Sequence, residues 1–200
     1  EAWAGDALAL ILGGSHASGS AIWTSLDGRR VSLSDLDLYA IVPDRARQRA
    51  AVERARADRP GLRRRLLDWG FAAPLEVSFL CAEDLEGLPA RPATIELARH
   101  GRVLRGEAAW LARVPRWAAS DVAAEEVQLL LENRAFELLL AWPDLVSPSS
   151  LQRLLARHAV LKCALDVVRV EALARGEYPD GAEELVAQAR RGSLTPERAG

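Results

Sequence analysis

The chain has 200 residues, which fits one large domain or two small ones with ample material for a core. Half of the residues are hydrophobic and the net charge is only -2, so no basic excess points to non-specific nucleic-acid binding. Cys81 and Cys163 are far apart in different kinds of segment, which predicts reduced thiols in a cytoplasmic protein rather than a disulfide framework or a zinc cluster. No apolar run approaches the ~20 residues of a membrane span, so no membrane contact is expected. The chain contains no methionine, and it is therefore expected to be a fragment of a longer product whose missing N-terminal segment could carry a targeting signal.

In chain order, Ala7–Leu12 is a short apolar run that stops at Gly13-Gly14, the pattern of a buried strand ended by a turn. Ser15 is a favoured residue for capping a helix that starts there. "WTSLDGRRVS" holds Asp27-Gly28, a hairpin signal between two short strands. Asp35–Val42 alternates and then runs apolar up to Pro43, so it reads as a strand. The arginine-rich stretch from Asp44 to Asp68 is interrupted by Pro60-Gly61 and reads as two helices with solvated faces. Pro74 then introduces the strand "LEVSFL", and a short helix around Thr94–His100 and the small strand "RVL" follow.

Composition changes after Pro115. Val127, Leu130, Leu131, Leu138 and Leu139 recur as on an amphipathic helix over Val122–Trp142, closed by Pro143 and Pro148. Ser149-Ser150 offers the next N-cap. Leu151, Leu154, His158, Leu161, Leu165, Val168 and Ala172 fall at steps of three and four, predicting a stripe for helix packing, and a last helix is expected from Ala182 to Arg191. The fold class expected is α+β: a small mixed sheet with flanking helices over residues 1–114, then an all-helical bundle over 115–200.

The chemistry is concentrated in the first half. Glycines after a strand, followed by serine at a helix start, present backbone N–H groups suited to phosphate, although Gly-Gly-Ser is also ordinary turn chemistry. Asp35 and Asp37 lie two apart in a strand and so share one face. Two carboxylates about 4 Å apart repel by roughly 4 kcal/mol at an effective dielectric near 20, which a shared proton, an arginine or a divalent cation would relieve. A solvated strand end is the plain alternative. "PLEVSFL" adds a third acid, Glu76, again on a strand. Three carboxylates with a phosphate-cradling turn make the kit for two-metal phosphoryl chemistry.

This pattern of strand, Gly14-Ser15 at a helix start, a strand bearing Asp35-Leu36-Asp37 and a later strand bearing Glu76 resembles the nucleotidyltransferase domain of the DNA polymerase β superfamily. "LARHGRVLRG" resembles the helix and small strand that commonly follow, and the second half is loosely similar to the helical domains appended in antibiotic nucleotidyltransferases. The resemblance implies Mg²⁺-dependent transfer of a nucleoside monophosphate from an NTP to a hydroxyl acceptor, with release of pyrophosphate. It implies two Mg²⁺ ions, with Mn²⁺ as a possible substitute, held by Asp35 and Asp37, with Glu76 completing the second metal site, acting as base toward the acceptor, or both. Gly13, Gly14, Ser15 and Ser18 would bind the nucleotide phosphates. Acceptors of this class include small molecules, protein side chains and RNA ends, and a homodimer is compatible with it. The alternative is a regulatory or antitoxin-type module of the same fold acting through a protein partner.

Two departures from the family's pattern stand out. The interval from Ser15 to Asp35 is long, which predicts a hairpin insertion around Ile22–Val31. Ser18 stands where the family often has an arginine, leaving His16, Ser18 or an arginine elsewhere to meet the triphosphate. His158 on the apolar stripe reads as a core histidine, and His100 as a partner of a helix dipole. Glu125, Glu126, Glu132 and Glu137 read as a solvated helix face, with Trp23 and Trp142 as candidate stacking residues for an acceptor.

Overall fold

Residues 5–192 are described by this computed structural model. The first apolar run forms β1 (Ala9–Leu12), and the chain then turns into the short helix α1 (Gly14–Ser18). The insertion is a hairpin of β2 (Trp23–Leu26) and β3 (Arg29–Ser32). Asp27 and Gly28 both have positive φ, 51° and 75°, as a two-residue type I′ turn requires. Backbone bonds from the Ser32 N–H to the Gly70 carbonyl (2.7 Å) and from the Ala72 N–H to the Ser32 carbonyl (3.0 Å) tie the hairpin down.

The chain continues through β4 (Leu36–Val42), α2 (Arg45–Asp68), β5 (Leu75–Cys81), a 3₁₀ turn at Ala82–Gly87, α3 (Pro92–His100), β6 (Arg102–Gly106) and α4 (Ala109–Ala112). The four-stranded sheet has the order β5-β4-β1-β6, with β4 and β5 parallel and the other neighbours antiparallel, so it is mixed. Alternate residues of β4 serve two cores. Ala40 and Val42 join Ala51, Phe79 and Cys81 beneath α2, while Ile41 joins Ala9, Ile11, Leu85 and Leu97 on the opposite face. Coverage on both faces explains why β4 stops alternating and runs apolar at its C-terminal end.

Where two helices are expected between Asp44 and Asp68, the structure has one, with Pro60 inside it. Proline removes one helical N–H and strains the preceding turn, a cost of about 3 kcal/mol. Buried Ala51 and Leu66 anchor the helix on either side of Pro60, and Asp44 caps its start by accepting from the Arg47 N–H at 2.8 Å. Packing at both ends therefore overrides the local break signal. Cys81 is fully buried, which pushes its thiol pKa up, and its Sγ donates to Gln48 Oε1 at 3.4 Å.

Two compact units make up the chain, Glu1–Trp117 and Ala118–Gly200. The division falls beyond residue 114 because Val114 is buried in the first unit's core and Trp117 Nε1 donates to the Leu88 carbonyl at 2.9 Å. The elements described in the second unit are helical: a 3₁₀ turn at Ala119–Asp121, α5 (Ala124–Ala141), a 3₁₀ turn at Trp142–Val146, α6 (Ser150–Ala174) and α7 (Ala182–Gly192). Ser149 caps α6 as the sequence suggests, accepting from the Gln152 N–H at 3.4 Å.

Along the α6 stripe Ala172 is buried, Leu151, Leu154, His158, Leu165 and Val168 are half-buried, and Leu161 is 58 % exposed. Asp166 on a neighbouring face is buried and meets Arg134 Nε of α5 at 2.8 Å and Arg169 Nη1 at 2.6 Å. A buried charge must be paired, and these two guanidiniums supply the pairing. Among the described residues, no helix is long and apolar enough to cross a membrane.

Candidate active site

The turn after β1 is built for close approach. The Gly13 N–H donates to the Asp37 carbonyl at 2.9 Å, continuing the β1–β4 ladder one step past the Leu12–Leu38 pair. A Cβ at Gly13 would come within 2.6 Å of the Tyr39 ring. Gly14 has φ +59°, and a Cβ there would overlap the Asp37 carboxylate oxygen Oδ2. Two glycines are thus what lets the turn lie directly on Asp37 and Tyr39.

Helix α1 starts at Gly14, so Gly13 and not Ser15 occupies the N-cap position, without a side-chain capping bond. The turn at Gly14 brings the chain into the helix two residues earlier than a cap at Ser15 would. Ser15 is half-buried in the first turn, and its carbonyl accepts from Ser18 Oγ at 3.2 Å. Ser18 Oγ also meets Ser20 Oγ at 2.8 Å, so this hydroxyl is engaged at the far end of α1.

Asp37 and Glu76 are direct partners in the parallel β4–β5 ladder, and their side chains leave the same face of the sheet. Asp37 is half-buried and Glu76 is exposed on the edge strand. Asp35 is half-buried immediately before β4, and the adjacent Leu36 N–H donates to the Pro74 carbonyl at 3.0 Å. Tyr39 follows Asp37 on the same face. Burial, then the charges of Asp37, Glu96 and Glu76, push its phenol pKa up to about 12. Glu96 comes from α3 and carries no motif in the sequence; only the packing of that helix brings it within electrostatic reach of Tyr39.

Among the described residues, no group of three or more His, Cys, Asp or Glu side chains is arranged to hold a metal ion. The oxygen-only donors Asp37, Glu76 and Asp35 nevertheless fit Mg²⁺ chemically. That ion commonly takes one or two carboxylates and completes its shell with water and substrate phosphates rather than with a full protein cage.

His16 is used structurally. Its Nε2 lies 3.1 Å from Ser32 Oγ and 3.3 Å from the Ser34 carbonyl, and its ring packs 5.8 Å from Trp23 and 5.5 Å from Phe71. Trp23 and Phe71 meet at 5.5 Å, and Arg30 covers the Trp23 ring at 4.7 Å. His16 and Trp23 therefore clamp the hairpin to the body of the first unit. His100 closes α3 and His158 sits half-buried on α6. In the second unit, Glu125 and Glu126 occupy the first turn of α5, where a helix dipole favours acids. Glu132 accepts from Gln128, Glu137 pairs with Arg134, and Trp142 is exposed.

Comparison with protein-family models, curated proteins and solved structures gives no match for this chain.

Proposed function

We propose that the first unit is a metal-dependent nucleotidyltransferase, transferring a nucleoside monophosphate from an NTP to an acceptor hydroxyl. The observation that carries this reading is the contact of the Gly13-Gly14 turn with Asp37, which stands across the ladder from Glu76. A glycine turn lying on a carboxylate is unfavourable for a bare anion and favourable for an anion that arrives with a cation.

In this reading, Asp37 and Asp35 hold the nucleotide's Mg²⁺ and the backbone around Gly13 and Gly14 faces the phosphates. Ser15 contributes through its backbone, since its hydroxyl does not cap the helix. A metal held there would neutralise the triphosphate charge and lower the pKa of the attacking hydroxyl. Glu76, exposed at the sheet edge, takes the acceptor's proton as its oxygen attacks the α-phosphorus. The bond to the β-phosphate breaks and pyrophosphate leaves with that electron pair.

The test is thermal melting with ATP or GTP. A ligand at a hundredfold excess over its Kd stabilises the native state by about 2.7 kcal/mol. Nucleotide with Mg²⁺ or Mn²⁺ raises the melting temperature, and nucleotide with chelator leaves it nearly unchanged. Equal shifts in both conditions would overturn the reading.

A further inference from the structure

On the sheet face opposite Asp37, the core beneath α2 does not close. Val52, Ala55 and Leu62 of α2 and Val77 of β5 pack against the buried cluster of Ala40, Val42, Ala51, Phe79 and Cys81, yet each remains only partly buried. They border a cavity of about 330 Å³ between α2 and the edge strand β5. That volume lies within the range of small-molecule sites.

The floor of this cavity is apolar, with Phe79, Leu66 and Leu75 beneath the opening. Its rim is not. Arg56, Arg59 and Arg63 line the α2 side, at spacings of three and four that put all three on one helical face. Arg56 pairs with Glu53 at 3.0 Å, whereas Arg59 and Arg63 make no ion pair among the described residues. Glu76, the one acid among the lining residues, belongs to β5, and its side chain leaves the other face of the sheet with Asp37. Three like charges on one face repel, and an apolar floor open to water is unfavourable. A single kind of occupant relieves both: an apolar body with one anionic end.

We propose that this cavity is a second binding site, separate from the Asp37 site, for an anionic amphiphile. Its apolar chain or ring covers Val52, Ala55, Leu62 and Val77. Its carboxylate or phosphate sits at Arg59 and Arg63. Guanidinium groups present paired donors that match both head groups.

The site is tested by fluorescence titration with 1-anilinonaphthalene-8-sulfonate, an apolar anion whose emission rises on leaving water. Decanoate, decyl phosphate and uncharged decanol serve as competitors below their aggregation concentrations. One dye site per chain is expected. Decanol should compete at least about tenfold more weakly than the anions, since a charge-assisted hydrogen bond is worth about that factor or more.

Displacement by either anion supports the site, and the tighter of the two names its head group. Displacement by neither overturns it, as does decanol competing equally well. The double variant Arg59→Gln with Arg63→Gln should bring decanoate down to the level of decanol. Ala55→Phe, which fills the cavity, should remove dye binding. Either variant binding dye and decanoate as the parent does, with an unchanged melting curve, overturns the proposal.

Discussion

Asp37 and Glu76 face each other across the β4–β5 ladder, two carboxylates of like charge on one face of the sheet. Like charges directly opposed in a sheet destabilise it. Neutralising either acid should therefore leave apo stability unchanged or higher. The two substitutions should differ in function. Asp37→Asn should abolish metal-dependent nucleotide stabilisation, because Asp37 touches the glycine turn. Glu76→Gln should keep that stabilisation while lowering pyrophosphate release by about 10²–10⁴, the usual worth of a general base. Melting curves with nucleotide, alongside a pyrophosphate assay, separate the two roles.

Gly14→Ala should be more damaging than Gly19→Ala. Both glycines have positive φ, +59° and +82°, but a Cβ at Gly14 strikes the Asp37 carboxylate while a Cβ at Gly19 meets open space. Backbone strain alone costs on the order of 1–3 kcal/mol. Gly19→Ala should show only that, whereas Gly14→Ala should add a displaced Asp37 and lose nucleotide binding. Denaturant unfolding and the nucleotide melting shift measure the two effects.

Tyr39 should ionise late. Its folded pKa of about 12 stands above the unfolded value near 10, so between those values the unfolded chain has lost a proton that the folded chain keeps. Its contribution to stability is fully present below about pH 10 and is lost as pH rises toward 12. Ultraviolet titration of the phenolate, compared between the parent and Tyr39→Phe, should show Tyr39 ionising late. Burial is the larger cause and the Asp37 charge the second, so Asp37→Asn should lower the Tyr39 pKa only part of the way to normal.

His16→Ala should act on stability and on the hairpin. It removes two aromatic contacts and a partner of the fully buried Ser32. Such contacts are worth about 0.5–1.5 kcal/mol each, and the Ser32 hydroxyl, which also donates to the Ser34 carbonyl at 3.3 Å, loses one hydrogen bond worth about 0.5–1.5 kcal/mol. A lower unfolding midpoint with a changed tryptophan emission is the expected outcome. An unchanged midpoint would show that the hairpin clamp lies elsewhere.

In the second unit, Asp166→Ala should cost about 3–5 kcal/mol, because it leaves the Arg134 and Arg169 guanidiniums without their shared buried carboxylate. Glu137→Ala, which removes a much more exposed partner of the same Arg134, should cost about 1 kcal/mol or less. Chemical denaturation of the two variants tests the ranking.

The sequence by itself determined what depends on neighbours along the chain. Asp27-Gly28 specified its turn because few other residues accept positive φ at both positions, and Ser149 specified the start of α6 through one short-range bond. Alternation specified β4 and β5, and Gly13-Gly14 specified the end of β1. Tertiary structure decided whatever depends on residues distant in sequence. The continuity of α2 through Pro60 rests on Ala51 and Leu66 being buried on either side of it. The loss of Ser15 as a cap follows from the Gly14 turn against Asp37, and the role of His16 follows from Phe71 reaching it across the hairpin. That Asp37 opposes Glu76, and that Glu96 acts on Tyr39, depend on strand register and helix placement. A one-residue slip would turn Glu76 to the other face, and no local preference guards against that slip; only burial of the two alternating cores does.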